Sequence, residues 1–386
     1  MIKKQRFRKI CTLFILLALM LPLSGCGRTE GSQRVHIDPE SWKPERSMDL
    51  QYATEFNVDY YPGGYKLLSI SDGNQFLVIP EGSSMPEGLD KSIVPIQQPV
   101  KNLYLAASAA MCLFDSLDRI DAIRLSGTRE DAWTIDNAKK AMQEGDILFA
   151  GKYSEPDFEL LLKEKAPLAI ESRMIGYASE AKEKLEELGI PVLVDQSSLE
   201  SHPLGRFEWI KLYAAMLNEE EKADTVFEEQ VKFMKEAEAA LPSGKSVVFF
   251  YINSKDIPVV RKGGDYVSKM IELAGGEYVF KGIGDPEKKS STTEIEMEAF
   301  YAKAKDADIM IYDSTTGSEI HYIQELLDKN PLLSECKAVK NGDVWCNSKG
   351  MYQSSAHLGR MILSMQQIFS GEAKEKDDVP FFYHLK

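Results

Sequence analysis

The chain has 386 residues, 44% of them hydrophobic and 27% charged, an ordinary balance for a globular protein and enough length for two domains. Its net charge of −14 argues against nucleic-acid binding, which needs a basic footprint, but leaves room for a local arginine cluster. The cysteines are few and form no C-x-x-C pair, which excludes a disulfide scaffold.

Lys3, Lys4, Arg6, Arg8 and Lys9 precede an apolar run from Ile10 to Leu21, and Leu23-Ser24-Gly25-Cys26 follows. A basic, apolar, small-residue order is that of an export signal, because the run is too short for a stable membrane span. The segment resembles the lipobox of bacterial lipoproteins. That implies removal of residues 1–25, acylation of Cys26, and an extracytoplasmic protein held on the outer face of the cell membrane. Loss of the five basic residues takes the net charge to −19. Two or more acyl chains anchor firmly where one does not.

Residues 26–56 are polar and aperiodic and read as a tether. Tyr65 to Pro80 reads as a hairpin with a Gly-containing turn. From Lys101 to Val194 short apolar strands (Leu103–Leu105, Ala122–Leu125, Ile147–Phe149, Leu168–Ile170, Val192–Val194) alternate with helical patterns at Ser108–Leu117, Asp157–Lys165 and Ser179–Leu188. Such alternation predicts a largely parallel sheet with helices on its faces. Phe207–Leu217 reads as one amphipathic helix. A second, long helix starts at Asn218, an N-cap with Glu221 three residues on, and runs to Leu241, where Pro242-Ser243-Gly244 stops it. Strand–helix alternation then restarts: Val247–Tyr251, helices Tyr266–Leu273 and Ile295–Lys305, strand Asp308–Tyr312, a hairpin on Asn341-Gly342, and a last helix at His357–Phe369. That hairpin register sets Cys346 opposite Lys337, which does not favour a Cys336–Cys346 disulfide. The fold class is therefore α/β: two Rossmann-like lobes, 57–217 with the extra N-terminal hairpin and 242–386, joined by one long helix at 218–241, with a ligand cleft between them.

Four segments in this order carry a family resemblance: Glu155–Leu162 leading to Ala166–Ile170, Leu188–Val192, Tyr266–Gly276 and Ala338–Trp345. Together with the long helix they resemble the substrate-binding lipoproteins of ABC importers for iron–siderophores, haem and cobalamin. The resemblance spans roughly residues 100–370. It implies a monomer that captures a small-molecule metal chelate and delivers it to a membrane permease. Family members present one acidic residue per lobe to permease arginines, a contact suited to steering and register. By motif position these are Glu159 and Glu298, with Glu294 and Glu296 close by.

Ligand contacts are expected on loops at the C-terminal ends of strands. In the first lobe these hold Thr128, Arg129, Trp133, Tyr153, Arg173 and Met174. In the second they hold Tyr251, Arg261, Lys262, Tyr266 and Tyr352. Arginine forks bind carboxylate or catecholate oxygens, and aromatic rings cover flat or apolar ligand faces. The mixture suits an iron–siderophore, with haem or a corrinoid as the alternative cargo. His36, His202, His321, His357 and His384 are scattered without metal spacing, so no bare metal site and no cofactor are expected. An extracytoplasmic enzyme and a sensory or surface lipoprotein are the alternatives from other classes. The chain has no phosphate loop, no G-x-G-x-x-G, no G-x-S-x-G and no H-E-x-x-H.

Overall fold

A computed structural model describes residues 42–284, 291–373 and 379–386. Cys26 and the export signal lie outside the described residues. Three sheets organise the rest.

The first sheet is N-terminal and has five strands in sequential order: β1 (Arg46–Ser47), β2 (Phe56–Tyr60), β3 (Lys66–Ile70), β4 (Gln75–Ile79) and β5 (Val94–Gln97). β3 and β4 form the expected hairpin. Part of the segment expected to be an aperiodic tether, 26–56, is folded: β1 pairs with β2. Residues 51–55 are folded although they form no strand, because two buried carboxylates satisfy their backbone. Glu208 accepts hydrogen bonds from the backbone N–H groups of Gln51, Tyr52 and Ala53 at 2.8–3.1 Å. Glu200 accepts from those of Thr54 and Glu55 at 3.0 Å and from Trp209 Nε1 at 3.2 Å. Buried backbone donors must find partners, and here the partners come from about 150 residues downstream.

The second sheet, wholly parallel, has the order β12-β11-β6-β7-β8. Its strands are β6 (Leu103–Leu105), β7 (Ile123–Ser126), β8 (Leu148–Phe149), β11 (Ala169–Ser172) and β12 (Val192–Asp195); the short pair β9 (Gly151–Lys152) and β10 (Glu155–Pro156) stands apart. Leu103, Leu105, Ile123 and Ile170 pack on one face, and Tyr104, Leu125, Ala169 and Val192 on the other. Burial on both faces explains why these strands read as continuous apolar runs. Their helices are α1 (Met111–Ser116), α2 (Asp136–Glu144), α3 (Phe158–Lys163) and α4 (Ser179–Glu187). α2 was not legible as a helix in the sequence.

The predicted amphipathic helix 207–217 is instead two helices, α5 (Pro203–Glu208) and α6 (Ile210–Leu217), and every residue of α6 is buried. It lies under the N-terminal sheet, with Phe56 edge-on to Trp209 and Lys66 Nζ donating to Ala215 O at 2.9 Å and to Asn218 Oδ1 at 2.7 Å. Asn218 does not cap the long helix; its left-handed φ of 59° ends α6. The long helix is α7 (Glu220–Ala239), 20 residues starting after Glu219, and so spans about 30 Å.

The third sheet has the order β16-β14-β13-β17-β18-β19, with β15 on the first half of β13. Its strands are β13 (Ser246–Ile252), β14 (Pro258–Arg261), β15 (Glu277–Tyr278), β16 (Thr292–Glu294), β17 (Ile309–Tyr312), β18 (Val344–Asn347) and β19 (Phe382–His384). Around it lie α8 (Tyr266–Leu273), α9 (Met297–Ala304), α10 (Ile323–Lys329), α11 (Lys337–Asn341) and α12 (Leu358–Ser370). α12 packs along α7, where Arg360 N donates to Gln230 Oε1 at 3.1 Å.

The hairpin expected at Asn341-Gly342 is absent. Lys337–Asn341 is helical, Gly342 closes it in the left-handed region at φ 76°, and β18 follows, parallel to β17. A glycine that ends a helix and a glycine in a tight hairpin need the same positive φ, so the dipeptide alone does not separate them. Cys346 pairs in register with Tyr383, and Cys112, Cys336 and Cys346 are buried free thiols. Among the described residues no helix is long and apolar enough to cross a membrane.

Candidate functional site

The loops after β6 and β7 meet the loop after β18. Thr134 N donates to Gln353 Oε1 at 2.7 Å, and Ser355 Oγ donates to Ala109 O at 3.1 Å. The C-terminal strand ends of the two lobes thus face one another at this junction, as the ligand rule for open α/β sheets requires.

On the first lobe, β7 and β11 flank β6, so their loops sit on either side of the β6 loop. The β7 loop carries Thr128 and Arg129. Ser126 Oγ accepts from Thr128 N at 3.0 Å, which tightens the turn. Arg129 is exposed, with Cζ 4.4 Å from the Phe149 ring centre. The β11 loop is a 3-10 turn, Arg173–Tyr177, capped by Ser172 Oγ accepting from Met174 N and pinned by buried Ile175. Arg173 and Met174 are exposed. Neither Arg129 nor Arg173 has a carboxylate partner among the described residues, whereas Arg119 and Arg124 are ion-paired. Tyr153 is half-buried. Trp133 is displaced from the expected set: it is 1% exposed in the core, and its Nε1 has no hydrogen-bond partner among the described residues.

On the second lobe the predicted residues are largely committed to neighbours within the fold. Arg261 Nη2 donates to Asp313 Oδ2 at 2.5 Å. Burial works against the guanidinium charge, yet Asp313 and Asp265 carry its pKa above the usual arginine value. Arg261 is thus part of the wall and not a free fork. Tyr266 is buried beneath Arg206, whose Cζ stands 3.8 Å from its ring centre. Tyr251 is half-buried, and burial raises its hydroxyl pKa. Lys262 is half-buried. Tyr352 remains 40% exposed, and its hydroxyl accepts from Gln353 Nε2 at 2.9 Å.

Both docking candidates are surface residues in first helical turns. Glu159 is exposed in α3, where Asp157 takes the capping role by accepting from Leu160 N at 3.0 Å. Glu298 is exposed in α9. Of its acidic neighbours, Glu294 is engaged by Asn253 Nδ2 at 2.8 Å.

Four residues escaped the sequence reading. Tyr177 is 86% exposed beside Arg173; its place four residues on in the same loop was the available signal. Arg206 gave none, since only the fold brings it to Tyr266. Gln353 is 1% exposed, a polar side chain hidden by lobe contact. Glu171, at the end of β11, is fully buried with neither carboxyl oxygen hydrogen-bonded among the described residues, and burial pushes its pKa up to about 8. An acid within an apolar strand was the signal there. A cavity of about 250 Å³ lies elsewhere, between the N-terminal sheet and α7, lined by Arg46, Tyr60, Lys211, Asp224 and Phe227 among others. No predicted cleft residue lines it. No cluster of three or more His, Cys, Asp or Glu among the described residues can hold a metal ion.

Comparison with known proteins agrees with this architecture. An uncharacterised lipoprotein of Methanocaldococcus jannaschii is 26% identical over 363 residues, covering 86% of this chain and 84% of its own. A periplasmic haem-binding protein of Vibrio cholerae matches with a TM-score of 0.57 at 18% identity, over 71% of this chain and 99% of that one. An Fe3+-hydroxamate transport protein of Saccharomonospora viridis gives 0.53 at 15% identity, over 72% and 94%. At such identities these two show the fold alone. Residues 122–346, more than half of the chain, match a family described as periplasmic binding protein. With two α/β lobes, a long helix between them and facing strand ends, the chain belongs to the periplasmic binding protein family.

Proposed function

We propose that this protein is the lipid-anchored binding component of an ABC importer. It captures an iron–siderophore between its lobes and hands it to a permease, without catalysis of its own. The observation that carries the ligand class is the pair Arg129 and Arg173. Both are exposed and lack carboxylate partners among the described residues, in a chain of net charge −14. Uncompensated arginines on the two strand-end loops that flank the β6 loop favour an anionic chelate through charge-assisted, bidentate hydrogen bonds. Met174, Tyr177 and, across the junction, Tyr352 supply exposed apolar and aromatic surface beside them. The solved relatives include proteins titled for haem and for ferric hydroxamate, so haem and corrinoids belong in the same test.

Cys26 serves as the acylated residue, which places the lobes outside the membrane. Glu159 and Glu298 serve as permease contacts, one per lobe.

Thermal unfolding of the mature chain with ferric siderophores, ferric citrate, haem and cobalamin tests the ligand assignment. A binder at a hundred times its Kd stabilises the fold by about 2.7 kcal/mol. No shift with any of them overturns the reading. Charge reversal, Glu159→Lys with Glu298→Lys, tests docking separately: uptake falls at least tenfold while ligand affinity stays within twofold. Unchanged uptake removes the docking role.

A further inference from the structure

Where the lobes meet, one amide is saturated by groups that the sequence keeps far apart. Gln353 belongs to the 3-10 segment Met351–His357 after β18. Its Oε1 accepts from Thr134 N at 2.7 Å and Thr134 Oγ1 at 2.9 Å. Its Nε2 donates to Ala132 O at 2.8 Å and Tyr352 Oη at 2.9 Å. The backbone partners fix the amide orientation, because an N–H donates and a carbonyl accepts. Three of the four bonds cross from one lobe to the other. Beside them, a Cβ on Gly350 would come within 2.4 Å of Thr134 Oγ1, so the Thr134 side chain packs onto the Gly350 backbone in space that only glycine leaves.

The root of the Gln353 loop is equally tied. Asn347 is fully buried, and its Nδ2 donates to Thr315 Oγ1 at 2.9 Å and to Asp313 Oδ1 at 3.2 Å, the aspartate that holds Arg261. On the other side, Ala132 closes the turn that begins at Arg129, and Thr134 follows it after Trp133. A buried, satisfied amide rigidifies what it joins, and losing it strands several polar groups at once.

We propose that Gln353 is a positioning residue: it latches the Arg129–Thr134 loop of one lobe to the Tyr352 loop of the other. In doing so it fixes the relative placement of an arginine and a tyrosine on opposite sides of the cleft. Its effect on ligand, slower release at an unchanged rate of capture, rests on the cleft assignment above; the loop-holding itself does not.

Hydrogen exchange on the full chain without ligand reads the latch directly, because local opening reports local stability. Gln353→Ala is expected to speed exchange at 128–134 and 351–357 at least tenfold while amides of β6, β11, β13 and β17 stay unchanged. Gly350→Ala, which wedges the same contact, is expected to do likewise, and adding Thr134→Gly is expected to slow the 351–357 amides again. Exchange that is unchanged, or raised uniformly through both sheets, overturns the proposal, as does failure of the Thr134→Gly rescue. Haemin and a ferric tris-catecholate then serve as probes. Gln353→Ala is expected to raise their dissociation rates about tenfold and leave association within twofold; equal changes in both rates overturn the positioning role. Loops that loosen as expected in a protein that binds none of the ferric siderophores, ferric citrate, haem and cobalamin refute the cleft assignment and leave the latch standing.

Discussion

Glu171 offers the sharpest test of the structure because its burial has a calculable consequence. Its carboxyl is fully buried on the sheet face that carries Tyr104 and Val194, and no described group hydrogen-bonds either oxygen. Burial raises its pKa from the ordinary 4.5 to about 8. The fold therefore binds a proton that the unfolded chain releases. The sign follows from linkage: stability is fully present below pH 4.5 and is lost as pH rises toward 8. Each pH unit in that window costs about 1.4 kcal/mol, hence roughly 3 kcal/mol by pH 7. Glu171→Gln keeps the shape and polarity and removes the titration. Urea unfolding of both proteins between pH 5 and 8.5 should give nearly equal stabilities at pH 5 and a gap that opens in favour of the variant at about that slope. Comparing the two proteins cancels other titrating groups, His202 included, whose pKa burial lowers to about 4. Parallel profiles across the range would refute the buried, unpartnered state of Glu171.

Other consequences are equally direct. Glu208→Ala strands three backbone N–H groups and leaves Lys211 without its 3.2 Å partner; a loss of roughly 3–5 kcal/mol is expected in urea unfolding, with new proteolytic cleavage within 49–55. Asn341→Ala should be neutral or stabilising by a few tenths of a kcal/mol, since alanine is the better helix former, whereas Gly342→Ala should cost about 1 kcal/mol for its positive φ. A hairpin turn would lose stability in both variants, so their thermal melts decide. Arg173→Ala should weaken whichever anionic chelate stabilises the fold by roughly 10- to 100-fold, the range of a lost charge-assisted hydrogen bond; unchanged affinity by titration calorimetry removes Arg173 from the site.

Much of the fold was legible because its signals are local. The parallel strands are apolar runs that end close to where they were drawn, and the long helix differs from its expected bounds by only two residues at each end. Structure and local sequence part where distant residues decide. The polarity of 51–55 reads as tether until Glu200 and Glu208 arrive to satisfy its backbone. Asn341-Gly342 reads as a hairpin because the strands that actually pair with β18 are distant in sequence, β17 on one side and β19, from Phe382 onward, on the other. Trp133 and Tyr266 look available because a loop position implies exposure; packing into the core, invisible in either segment alone, buries both. Arg261 looked like a free fork because Asp313 lies 52 residues away. Side-chain availability depends on tertiary neighbours, whereas strand and helix content depends mostly on the neighbours in sequence.

The N-terminal sheet bears on how the proposed anchor connects to the lobes. It precedes the family match, which starts at residue 122, and it is fixed to the first lobe by buried charge: Glu200 and Glu208 on residues 51–55, and Lys66 on the junction of α6 and α7, where it also pairs with Glu220. A force on the proposed tether thus enters at the foot of the long helix. The interlobe latch lies elsewhere, at the C-terminal strand ends around Thr134 and Gln353. The proposed anchoring and the proposed ligand capture therefore rest on separate contacts. Glu208→Ala, under conditions where the variant remains folded, should loosen exchange at 49–55 and leave 351–357 untouched. Coupled loosening of both segments would mean that residues 49–55 help to hold the lobes together.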